Sequence, residues 1–202
     1  MTDPDYWTIS EGWLAGARKV ASPNYNCRPE EAPIQLIVLH NISLPPGKFG
    51  GGHIEALFTN TLNPSLHPYF ESIAHLRVSA HFLVTRLGEI VQFVASGDRA
   101  WHAGESHWCG QSNCNDFSIG IELEGTDDQA YTDVQYVQLR QLIKALQRYH
   151  PSLDQSDIVG HSDIAPGRKT DPGGCFDWHR LADVSNDNVK LLLSWSTLGN
   201  NI

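Results

Sequence analysis

"IQLIVLH", Ile34 to His40, decides the fold. It is apolar almost throughout and rich in β-branched residues, so it reads as a strand buried on both faces. It ends in "HNISLPPGKFGGGH", where two prolines and four glycines forbid regular structure. Downstream, "IEALFTNTL" places Ile54, Leu57, Phe58 and Leu62 at helical spacing. "SAHFLVTRLGEIVQFV" carries the β-rich runs "HFLVT" and "IVQFV" around a turn at Leu87–Gly88, which predicts two strands. "FSIGIELEG" alternates, with Phe117, Ile119, Ile121 and Leu123 on one face and Gly120, Glu122 and Glu124 on the other. In "TDVQYVQLRQLIKALQRYH", Thr132 and Gln135 fit a capping box, and Leu139, Leu142, Ile143 and Leu146 form the apolar stripe of a helix. Strands interleaved with helices predict a single α/β domain, a mixed β-sheet covered by α-helices with long loops at the strand ends.

Composition narrows the function. The 202 residues are 41% hydrophobic and 18% charged, an ordinary globular balance. A net charge of -9 argues against nucleic acid and gives no attraction to anionic membranes. The start, "MTDPDYWTISEGWLAG", has early aspartates and no apolar core, so the expectation is a cytosolic protein without a signal peptide. Cys27, Cys109, Cys114 and Cys175 are too sparse for a disulfide framework. Cys109 and Cys114 could be half a zinc site by spacing, but no second pair follows, and they read as loop thiols. "PPGKFGGGH" does not match a phosphate-cradling loop, no GxSxG turn exists, and no cysteine sits in a protease-like context.

The chemistry concentrates at strand ends, where ligand sites of α/β folds collect. His40 closes the first strand, and His161 follows the short apolar run "DIVGH". His161 lies at the start of "GHSDIAPGRKTDPG", Gly160 to Gly173, a stiff polar loop with almost nothing to contribute to a core, which also holds Lys169 and Asp171. Two imidazoles and a carboxylate are a common catalytic-zinc set. The plainer alternative is a pair of hydrogen-bonded structural histidines. Glu122, beside the space left by Gly120, could accept a proton from water in a cleft, and Glu124 competes by parity. Lys169 and Asp171 project to the same side of an extended segment, where a lysine could stabilise an oxyanion.

Read together, "LIVLHNISLPPGKFGGG", "HLRVSAHFLV", "RAWHAGESHW", "CNDFSIGIELEGTDDQAYTDVQY" and "GHSDIAPGRKTDPGGCFDW" resemble the type-2 N-acetylmuramoyl-L-alanine amidases. The likeness runs from about Cys27 to Trp178 and points to the cytosolic branch that recycles 1,6-anhydro-muropeptides. It implies zinc ligands at His40, His161 and Asp171, the general base at Glu122 rather than Glu124, and an oxyanion-stabilising Lys169. It implies substrate contacts at Asn41, Arg77 and Trp101, with His102 and Ala103 beside them. The implied reaction is zinc-dependent hydrolysis of the amide between the lactyl group of anhydro-N-acetylmuramic acid and L-alanine. The implied partner is a small muropeptide, with no nucleic acid, membrane or obligatory protein partner. A non-catalytic muropeptide-binding module and an amidase acting on intact cell wall are the alternatives. The expected organisation is an extension over residues 1–26 packed on the domain, an amidase domain over 27–182 and a tail over 183–202.

Overall fold

Seven residues, Leu36–Ile42, form the central strand, and the first five are buried. The computed structural model describes residues 5–30, 32–153 and 157–181. Six strands make the main sheet. In chain order they are β1 (Arg18–Lys19), β2 (Leu36–Ile42), β3 (Phe82–Val84), β4 (Ile90–Gln92), β5 (Ser118–Glu124) and β6 (Asp157–Gly160). The spatial order is β6-β2-β5-β3-β4-β1. Only the β3–β4 hairpin pairs antiparallel; β2, β5, β6 and β3 run parallel to their other neighbours, as β1 does to β4. The sheet is therefore mixed, as expected.

The uninterrupted apolar run of β2 follows from its two covered faces. Ile37 and Leu39 join Ile119, Ile121 and Leu123 of β5 against one side. Leu36 and Val38 pack with Val159 and Ile164 on the other. The first side is closed by α3 (Asp133–Tyr149), which follows α1 (His53–Phe58) and α2 (Pro68–Ile73) in the chain and precedes α4 (His161–Ile164). Thr132 and Gln135 close the predicted capping box at the start of α3. His150 leaves the helix in extended conformation before Pro151, which disfavours a helical residue ahead of it. Leu139, Leu142, Ile143 and Leu146 are each 0% exposed, and burying such side chains contributes about 1.5–3 kcal/mol apiece before entropy. Helix α1 and Phe70 of α2 cover a second cluster with Leu83, Val91 and Phe93.

Two expectations are corrected, and one helix has no counterpart in the sequence pattern. The helix expected over "IEALFTNTL" stops at Phe58, because Thr59 turns its hydroxyl onto the Glu55 carbonyl and Asn60 adopts a positive φ of 62°. Leu62 is buried all the same. Helix α2 was not anticipated; six residues with Pro68 at the start and a His67 side-chain cap on Tyr69 N–H give little periodicity to read. The polar loop begins as the helical turn α4, and its Ile164 and Ala165 do enter the interior.

Residues 5–26 supply strand β1 and the core side chain Leu14, with Trp7 and Ile9 packed against the same cluster. Arg18 bridges Glu55 of α1 and Glu89. The tail expected over 183–202 lies outside the described residues. Among the described residues no helix is long and apolar enough to cross a membrane.

Candidate metal centre

Parallel register sets the site. Glu122 of β5 stands opposite His40 of β2, and Gly160 of β6 stands opposite Leu39, so α4 starts with His161 beside His40. The chain returns through Asp171, whose carbonyl accepts from Ser162 N–H at 3.0 Å. Nδ1 of His40 and Nδ1 of His161 lie 2.9 Å apart. Oδ2 of Asp171 lies 3.2 Å from the first and 3.0 Å from the second. Among the described residues, this is the group of His, Cys, Asp and Glu placed to share an ion. Cys109 and Cys114 take no part; the first is exposed and the second buried.

Proton accounting argues for a cation among these atoms. Nε2 of His161 faces the Ala103 carbonyl at 3.0 Å, and a carbonyl can only accept, so that nitrogen carries the ring proton. That turns Nδ1 of His161 toward the Asp171 carboxylate, 3.0 Å from Oδ2. Burial, the largest influence, lowers the His40 pKa to about 4, which favours a neutral ring there. Two imidazole nitrogens and a carboxylate oxygen that converge at 2.9–3.2 Å are a donor set that suits a divalent ion.

Glu122 is 9% exposed, and its buried Oε2 has no hydrogen-bond partner among the described residues. Burial first, then the charge of Asp171, push its pKa well above the usual carboxylate range, with Lys169 opposing. Glu124 is differently employed: its two oxygens accept from Gly50 N–H and Arg86 N–H, tying the glycine-rich loop to β5. The space expected beside Gly120 is filled by His102, whose Cγ would lie 2.4 Å from a Cβ placed there.

Lys169, Asp171 and Asn41 line one cleft of about 530 Å³. Asn41 Nδ2 donates to Asp127 Oδ1 at 2.7 Å and to the Pro172 carbonyl at 3.2 Å. Trp101 donates from Nε1 to Asn26 Oδ1 at 2.7 Å, and its carbonyl accepts from Ser79 N–H at 3.1 Å. Arg77 is exposed on the same segment as Ser79, with its guanidinium on the His75 carbonyl at 3.4 Å. Ala103 is 0% exposed; its N–H goes to Asn115 Oδ1 and its carbonyl receives His161 and Arg168, so it offers nothing to a substrate. Sequence reasoning missed Asn115, Asp127, Ser118 and Arg168, because each acts through a partner distant in the chain and belongs to no local motif.

A family model described as N-acetylmuramoyl-L-alanine amidase matches residues 30–174. The chain is 59% identical over 173 residues to the 1,6-anhydro-N-acetylmuramyl-L-alanine amidase AmpD of Escherichia coli strain K12, covering 86% of this chain and 94% of that protein. The protein of the same name from Haemophilus influenzae is 49% identical over 172 residues, covering 85% and 94%. A crystal structure of a Se-Met AmpD derivative superposes with a TM-score of 0.85 at 58% identity, over 88% of this chain and 99% of that one. The E. coli amidase AmiD in complex with the substrate anhydro-N-acetylmuramic acid-L-Ala-D-γ-Glu-L-Lys gives a TM-score of 0.56 at 27% identity, over 89% and 66%.

Proposed function

Because the chain belongs to the N-acetylmuramoyl-L-alanine amidase family, we propose that it hydrolyses the lactyl–L-alanine amide of 1,6-anhydro-muropeptides, with zinc, in cytosolic peptidoglycan recycling. The observation that carries the reading is the meeting of His40, His161 and Asp171 beside a buried Glu122 whose Oε2 has no partner among the described residues. The names of the relatives support the anhydro substrate. In this reading the amidase domain spans residues 27–182, and the described part of the extension before it, residues 5–26, packs on it.

His40 and His161 through Nδ1, and Asp171 through Oδ2, would hold a zinc ion. Bound there, zinc supplies Lewis-acid chemistry, polarising the carbonyl and acidifying water. Glu122 accepts the proton of the attacking water, a task suited to a carboxylate whose burial raises its proton affinity. As the lactyl carbonyl becomes tetrahedral, the Lys169 ammonium faces the developing oxyanion. Glu122 then returns the proton to the departing alanine nitrogen. Asn41, Arg77 and Trp101 orient the muropeptide, Asn41 from the cleft wall and the others from paired neighbouring segments.

Purified protein is assayed for zinc content and for cleavage of anhydro-muramoyl-tripeptide and of intact sacculi. Equimolar zinc and release of free tripeptide from the small substrate are expected. Binding of the muropeptide without cleavage by zinc-loaded protein points to a binding module; preferential cleavage of sacculi points to a cell-wall amidase.

A further inference from the structure

We infer that His102 is a positioning residue for the metal ligand His40, holding its Nδ1 toward the ion, and not a contact for substrate. The inference rests on the zinc reading of His40, His161 and Asp171.

The order of protons is dictated from the far end of a chain of side chains. The Cys114 carbonyl can only accept, so the Ser118 hydroxyl, 2.6 Å away, donates to it. With its proton committed there, Ser118 Oγ offers a lone pair to Nε2 of His102 at 3.3 Å, and that nitrogen carries the ring proton. With the ring proton on Nε2, Nδ1 of His102 faces Nε2 of His40 at 2.9 Å and accepts its N–H. His40 in turn has its lone pair on Nδ1, the atom that faces His161 and Asp171. Reversing any link would turn an N–H toward the cation, and an N–H cannot ligate. A hydrogen bond to the free imidazole nitrogen that fixes tautomer and ring orientation is how proteins commonly tune such ligands.

His102 is itself held from three sides. Its backbone N–H donates to Asn115 Oδ1 at 3.1 Å. The missing Cβ of Gly120 admits its ring, since a Cβ would lie 2.4 Å from Cγ and 2.5 Å from Nδ1. Its plane meets that of His40 at 82° with centroids 5.0 Å apart, which directs Nδ1 at the neighbouring ring's edge. Both ring nitrogens are thus committed inside the protein, and neither is left for a muropeptide.

The test compares His102→Leu with His102→Asn. The two side chains are close in size, but Asn Oδ1 can stand where His102 Nδ1 does and accept from His40. Zinc affinity is measured by competition with a chromophoric chelator, alongside kcat, KM and the thermal midpoint of the metal-free proteins. Wild type that takes up no zinc removes the metal reading, and the inference with it. With zinc-binding wild type, His102→Leu is expected to bind zinc about 10–100-fold more weakly, and His102→Asn to recover most of that loss. KM of the zinc-saturated variants should be unchanged. Unaltered zinc affinity in His102→Leu, or equal losses in both variants, overturns the assignment. So does a raised KM with zinc affinity intact, the mark of a substrate contact. If either variant fails to fold, Ser118→Ala decides: it leaves His102 in place, removes the acceptor and should weaken zinc in the same direction. Unchanged affinity there refutes the relay.

Discussion

Replacing Glu122 with glutamine should make the enzyme slower and the metal-free protein more stable at alkaline pH. The volume is conserved and only the charge goes. Loss of a general base lowers turnover by about 10²–10⁴, a barrier rise of roughly 3–5 kcal/mol. The stability effect follows from burial: the carboxylate is 9% exposed with an unpartnered oxygen, and burial raises its pKa well above 4.5. A raised carboxyl pKa means that the folded state binds the proton more tightly than the unfolded chain. Its contribution is complete below the unfolded value and is lost as pH climbs through the folded one. In that window the stability of wild type relative to Glu122→Gln should fall by about 1.4 kcal/mol per pH unit, then level off. Taking the difference cancels the other titrating groups, and any constant offset from the amide leaves the slope intact. Urea melts of both proteins in chelator, across the acidic to alkaline range, measure it. Curves that stay parallel refute the claim of a buried, proton-hungry carboxyl. Retention of more than about a tenth of the activity refutes the base, since the smallest typical loss is ~10²-fold.

Asp171→Ala should lose zinc and activity together while remaining folded, whereas Glu122→Gln keeps its zinc; metal analysis beside circular dichroism separates the two. Lys169→Ala should retain zinc yet turn over about 10²–10³-fold more slowly, as for loss of an oxyanion donor, and steady-state kinetics would expose a lysine that does nothing. Gly120→Ala should drive a methyl into the His102 ring, and overpacking of this kind costs about 1–3 kcal/mol in chemical denaturation. A variant as stable as wild type would mean that His102 moves freely.

Local pattern carried much of the fold. The alternation of Ile119, Ile121 and Leu123, the apolar run into His40 and the Thr132–Gln135 box each express a period or a short-range hydrogen bond, which few neighbouring residues suffice to specify. Short elements escaped: α2 and α4 hold six and four residues, too few turns to repeat a pattern. For the site, strand-end position and side-chain type flagged His40, His161 and Asp171 only as candidates, and the family resemblance, not periodicity, preferred Glu122 to Glu124.

By itself, then, the sequence determined the types of the longer elements, the mixed sheet and the residues able to ligate a metal, because those depend on side-chain chemistry and near neighbours. Only the tertiary structure decided that Glu124 anchors a loop, that Gly120 makes room for His102, and that the Ala103 carbonyl meets His161 while Asn115 holds the Ala103 N–H. Those roles depend on which atoms meet within about 3 Å, the reach of a hydrogen bond. Parallel pairing of β2, β5 and β6 brings them together across long stretches of chain, and no local pattern records such a meeting.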